Sequence, residues 1–213
     1  MNEPTQQRLP ETRAGGWVHV GDIQHPGPPE ALVKDKLPAE SPVKTWTYIG
    51  IDPGAGGGLA SVTVGRDVHH VEGAAGSIPM PKTERDIWDW IESKWASGFA
   101  VIEKVGGYMG GEDNRFLGPA MFKFGMNYGF LRGCLIAVGI PFEEVVPRTW
   151  QKGLGILGRK KTESKTAFKN RLKARAQQLF PGEKVTLATA DALLIAEFCW
   201  RMKGPRGTAA VSD

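Results

Sequence analysis

Trp46-Thr47-Tyr48-Ile49-Gly50-Ile51-Asp52-Pro53-Gly54 decides how the chain is read. A run of β-branched and aromatic residues halted by Asp-Pro-Gly is a strand entering a turn, and it leaves an acid, Asp52, at the strand's end. Beyond it, residues 59–64 and 68–71 flank Gly65-Arg66-Asp67 and predict a hairpin. Thr83-x-x-Asp86 opens a helix over 83–95 that sets Ile87, Trp88, Ile91 and Trp95 on one face. The short apolar run 99–103 reads as a strand buried on both faces, and it too ends in an acid, Glu103.

The longest helical pattern covers 119–138 and carries Gly125, Gly129, Gly133 and Ala137 at steps of four. Glycine costs a helix interior about 1 kcal/mol relative to alanine. A row of them on one face therefore calls for close approach of another backbone, within the fold or across a dimer. Residues 142–146 predict a strand followed by a helical turn led by Pro147. A basic helix spans about 162–180 with Phe168, Leu172, Ala176 and Leu179 as its buried stripe, and a last helix spans about 189–201. Strands first, then helices alternating with strands, predict an α/β domain with a mixed central sheet. It covers 45–202. Residues 1–44 hold seven of the fifteen prolines and lack apolar periodicity, so they read as a disordered or loosely attached tail, and 203–213 as a second flexible tail.

Composition is that of a soluble globular protein, with 41% hydrophobic and 23% charged residues. No run is apolar enough for a membrane span and no secretory leader is visible, so membrane association is not expected. Cys134 and Cys199 sit in apolar helical contexts and read as buried free thiols of a cytoplasmic protein. The formal net charge of +4 is unevenly spread: between Arg159 and Arg175 eight basic residues face a single acid, Glu163. That stripe is either a solvated helix face or the footprint of a polyanionic partner.

Acids placed where acids are costly carry the chemistry. Taken singly, Glu103 could pair with a lysine such as Lys104, Asp52 could be ordinary turn chemistry, and Asp191 could be an acid favoured at a helix N-terminus. Taken together, two strand ends and a helix start can converge at one edge of a sheet. Three converging carboxylates repel unless divalent cations sit among them. Oxygen ligands of this kind select Mg²⁺ or Mn²⁺, and a pair of such ions suits in-line displacement at a phosphodiester.

Ile49-Gly50-Ile51-Asp52-Pro53-Gly54, then Val101-Ile102-Glu103-Lys104-Val105, then Ala190-Asp191-Ala192-Leu193-Leu194-Ile195-Ala196 resemble, in order, the three acidic motifs of the RuvC-type Holliday junction resolvases. The resemblance spans roughly 45–202 and leans towards the phage and organellar branches. It implies an RNase H-like fold, a four-way DNA junction as substrate and two metal ions at Asp52, Glu103 and Asp191. It further implies a homodimer formed through the 119–138 helix, and a DNA-associated protein of phage or prophage origin. One departure stands out: the family's second acid three residues before the last falls here on Ala188, which leaves Thr189 or water to complete the ligand shell. Glu197 lies about 240° around the helix from Asp191 and does not substitute.

Lys152, Lys160, Lys161, Lys165 and Lys169 are expected to contact phosphates, with Arg148 a weaker candidate. Tyr108, in the glycine-rich stretch after Glu103, is expected to stack on bases at the crossover. The cluster Gly54-Ala55-Gly56-Gly57-Gly58 lacks the Gly-Lys-Ser/Thr of a phosphate loop and the third glycine of a dinucleotide fingerprint. Three further readings stay open: an actin-like ATPase on the same core, a non-catalytic DNA-junction-binding module, and a nuclease for flaps or RNA–DNA hybrids.

Overall fold

Gly50 fixes the architecture. A Cβ at this position would overlap the Ala192 carbonyl oxygen and the Ala196 backbone, so only glycine lets strand and helix come this close. The computed structural model describes residues 45–65, 74–94, 98–106 and 117–204. In chain order the elements are β1 (Thr45–Asp52), β2 (Gly58–Gly65), β3 (Ala75–Pro79), α1 (Glu84–Glu92), β4 (Phe99–Glu103), α2 (Leu117–Val138), β5 (Phe142–Val145), α3 (Pro147–Gly153), α4 (Lys165–Leu179) and α5 (Ala190–Lys203).

The strands form one mixed sheet in the order β3-β2-β1-β4-β5. β2 runs antiparallel to both β1 and β3, whereas β4 runs parallel to β1 and to β5. This is the α/β, RNase H-like mixed sheet flanked by helices that the resemblance implies. Parallel pairing of β1 with β4, with Ile51 beside Ile102, sends both strands out at the same sheet edge. Asp52 and Glu103 are therefore neighbours across one strand spacing of about 4.8 Å.

Alternation along β1 divides the core. Ile49 and Ile51 face one side, where Ile87 and Ile91 of α1 and Leu131 and Leu135 of α2 cover them. Tyr48 faces the other, together with Leu193 and Leu194 of α5, Leu172 and Ala176 of α4 and Trp150 of α3. α5 is buried from Ala190 to Cys199 because it is roofed by α4 and floored by the sheet. Its apolarity on all sides follows from that position.

Several expectations change in detail. β2 pairs with 75–79, from Gly58 beside Pro79 to Val62 beside Ala75; the expected partner 68–71 lies outside the described residues. Ala-Gly-Ser-Ile-Pro has no alternation to betray it, as suits an edge strand whose final proline needs no ladder partner. Thr83 caps α1 as its sequence suggests, accepting from the Asp86 N–H at 3.1 Å, and the helix ends at Glu92 with Trp95 outside the described residues. α5 continues to Lys203, which lies over the Phe99 ring, so this residue belongs to the body. Both cysteines are buried free thiols. Gly204, the buried C-cap of α5, belongs with that helix; residues 1–44 and 205–213 lie outside the described residues. No helix among the described residues is long and apolar enough to cross a membrane.

Candidate active site

Three elements deliver the three acids. β1 ends in Asp52, β4 in Glu103, and α5 begins one residue before Asp191, lowered onto β1 by the Gly50 contact. Asp191 is 5% exposed. The charges feel one another. Burial first, then Asp191 and Glu103, push the Asp52 carboxyl from an ordinary 3.8 up to about 8. Glu103 is raised chiefly by burial and in part by Asp191, against a hydrogen bond from Trp150 that pulls it down.

A lysine stands among them. The Lys169 ammonium bonds directly to Asp191 Oδ2. Burial alone would lower its pKa, but Asp191, Asp52 and Glu103 together raise it. Lys169 belongs to the basic set expected to contact phosphates, and it is the member that reaches the acids: steps of three and four carry it onto the same helix face as the buried Leu172 and Ala176, while its side chain stays 37% exposed. The Asp191 Oδ1 is left buried without a hydrogen-bond partner, and a buried lone acceptor costs about 1–3 kcal/mol.

Two more contacts shape the site and had no signal in the local sequence. Trp150 of α3, fully buried, donates Nε1–H to Glu103 Oε2 at 2.8 Å. Asn127 of α2 accepts the Gly54 N–H on its Oδ1 at 3.0 Å. Gly54 adopts a φ of 97°, and a Cβ there would lie 2.7 Å from the Phe124 ring. α2 thus grips the turn that follows Asp52. A solitary tryptophan in a short polar helix, and an asparagine among the aromatics and glycines of α2, are the only marks either left in the sequence.

The donor set suits a hard divalent cation: carboxylate oxygens only, one without a partner, and one acid whose ionisation is opposed by its surroundings. Among the described residues no group of three His, Cys, Asp or Glu side chains stands close enough together to hold a metal ion as they lie. Positive charge at the centre comes from Lys169. The Thr189 hydroxyl accepts the Thr186 N–H at 3.0 Å and lies 3.2 Å from the Thr186 hydroxyl. Ala188 packs its carbonyl oxygen near Gly58. Glu197 is turned away and held by Arg201 at 2.8 Å.

Lys152, Lys160, Lys161 and Lys165 are exposed, as phosphate contacts must be. Tyr108 lies outside the described residues. On α2, Gly125, Gly129 and Gly133 have nothing within 4 Å of a Cβ. The glycine row is therefore not explained by packing among the described residues. The same helix exposes Phe122, Met126 and Ile136.

No family model matches the sequence, and no curated protein matches it. Among solved structures, the chain is similar to Thermus thermophilus RuvC, at 17% identity and a TM-score of 0.43, covering 73% of this chain and 96% of that one. It is also similar to T. thermophilus RuvC in complex with Holliday junction substrate, at 18% identity and a TM-score of 0.44, covering 75% and 97%. Both structures are of a Thermus protein, and neither speaks for a phage or organellar branch.

Proposed function

We propose that the chain is a divalent-metal-dependent endonuclease that cuts phosphodiester bonds in branched DNA, with four-way junctions as its substrate. One observation carries the reading: carboxylates from three separate elements are gathered at a single sheet edge, where burial and mutual repulsion leave Asp52 near pKa 8 and Asp191 Oδ1 without a partner. Burial and mutual repulsion of the acids count against the fold unless cations offset them, as Lys169 does at Asp191.

Asp52, Glu103 and Asp191 are the residues that would hold Mg²⁺ or Mn²⁺, in a pair. When bound, such ions supply activation of water and charge stabilisation at the phosphodiester. The chain's own residues do the rest. Trp150 fixes one Glu103 oxygen and so orients the carboxylate. Lys169 balances charge among the acids and is positioned to meet a phosphate oxygen brought to them. Lys152, Lys160, Lys161 and Lys165, with Tyr108, would track the DNA arms. The open face of α2 is the proposed homodimer contact, which would present two sites to a symmetric substrate.

The pairing of Lys169 with Asp191 and the alanine at 188 favour a second reading, a junction-binding module that does not cut. A synthetic four-way junction incubated with and without Mg²⁺ separates the two. Paired metal-dependent nicks that vanish in Asp52→Asn, Glu103→Gln and Asp191→Asn, with junction binding retained, are the expected result. Binding without cleavage at any metal concentration supports the module, and full activity in any one of the three variants removes the proposed site.

A further inference from the structure

Along α3, the helix whose Trp150 holds Glu103, the structure has a cavity of about 660 Å³, lined by Pro147, Arg148, Gln151, Lys152, Ile156 and Leu157, with Gly155 and Gly158 in its wall. It lies on the far side of α3 from the site. Trp150 faces inward to Glu103, whereas Arg148, Gln151 and Lys152, at steps of three and four, share another face of the same helix. One helix width, about 10 Å, separates the two faces, a span that a DNA strand covers in a few nucleotides.

The cavity is held in shape. Gly155 and Ile156 donate their N–H groups to the Lys152 and Gln151 carbonyls at 3.0 and 2.8 Å, which folds the chain back over the end of α3. From the other side Arg171 donates to the Leu157 carbonyl at 2.9 Å and the Gly158 carbonyl at 3.3 Å, while Glu163 holds Arg171 at 3.0 Å. Gly153 leaves no room for a Cβ against the Phe198 ring, which seats α3 on α5. Leu157 is nevertheless 72% exposed. A wall pinned through its backbone thus presents an exposed apolar side chain to a cavity that two cations and an amide also line.

Those three chemistries match the face of a base, its polar edge and the phosphates on either side of it. Resting on the nuclease reading above, we propose that this cavity receives one nucleotide of the bound DNA strand and gives the enzyme a base preference near its cleavage site. Pro147, Ile156 and Leu157 offer apolar surface to the base, the Gln151 amide meets donor and acceptor atoms on the base edge, and Arg148 and Lys152 take the flanking phosphates. The volume is within the 300–1,000 Å³ range of small-molecule sites.

The test is an abasic scan. The full chain carrying Asp52→Asn is titrated with four-way junctions in which one nucleotide at a time, along the strand flanking the crossover, lacks its base. One position is expected to weaken binding about tenfold, the scale of one lost base contact, and at that position Gln151→Ala is expected to add no further loss. Gly158→Leu, whose Cβ meets nothing within 4 Å, is expected to obstruct the cavity and erase the same dependence without unfolding the chain. Arg148→Ala and Lys152→Ala are expected to weaken binding at every position alike and to lower the salt slope. Junction binding with no base-dependent position, or with a dependence that survives both Gln151→Ala and Gly158→Leu, overturns the cavity's assignment and leaves the nuclease reading standing. Absence of junction binding altogether overturns both.

Discussion

Asp52 holds in the folded chain a proton that the unfolded chain gives up, since its pKa is about 8 in place of 3.8. Its contribution to stability is full below pH 4 and drains away as pH climbs through 8. In EDTA, thermal melts are expected to show the chain less stable at pH 8 than at pH 5, and Asp52→Asn is expected to remove much of that slope. At pH 8 the variant gains at least about 1 kcal/mol, the worth of one pKa unit. Mg²⁺ at pH 8 is expected to raise the midpoint of the parent chain and not that of the variant; equal shifts in both would argue against Asp52 as a ligand. Trp150 makes a complementary case. Its hydrogen bond lowers the Glu103 pKa, so Trp150→Phe is expected to move the acid limb of the pH–rate profile upward and to reduce cleavage about tenfold, roughly 1.4 kcal/mol of lost orientation. An unmoved limb would mean that the indole serves packing alone. Asp52 and Glu103 were legible in the sequence because each ends an apolar run in a charge. Lys169 is legible as a cation, and its register with Leu172 and Ala176 is the one mark that separates it from the lysines beside it. Trp150 and Asn127 act across separations of 47 and 73 residues, and no local pattern reports a partner that far away.

Elements were read more securely than their edges. β1, β4, α2 and α5 each carry a long or strongly patterned run, and each forms within a few residues of its expected span. β3 does not, because small residues at a sheet edge need no hydrophobic face. α2 is the element whose sequence asked a question that the fold alone does not answer, since its glycines meet nothing within 4 Å. Gly129→Ala tests the answer. On a helix face open to water the substitution stabilises by roughly 1 kcal/mol; at a seam between two backbones it weakens association instead. Sedimentation is expected to show the variant dissociating at concentrations where the parent chain is paired, while denaturant melts of the dilute protein show no loss of stability. A monomeric parent chain would set the proposed dimer aside.

At the scale of the whole molecule, two opposite charge clusters stand out: Asp52, Glu103 and Asp191 at one sheet edge, and the exposed Lys160, Lys161 and Lys165 on the segment that leads into α4. Such a surface binds polyanions largely by releasing their counterions, so affinity falls with salt. Replacing Lys160, Lys161 and Lys165 together by glutamine is expected to flatten the dependence of log K on log salt by about two to three units, each phosphate contact being worth about 0.9. An unchanged slope would make the stripe a solvated surface and shift attention to Arg148 and Lys152.

α2 has two faces with different duties. One carries Asn127 and Phe124, which hold the Gly54 turn beside Asp52; the other is bare, among the described residues, along Gly125, Gly129 and Gly133. A stiff rod cannot be pressed on one flank without the opposite flank registering the load. Were a second copy to lean on the bare side, each protomer would set the tension on its neighbour's cutting edge, and a mixed pair with one inert half would incise the intact half's strand at a pace other than the parent's.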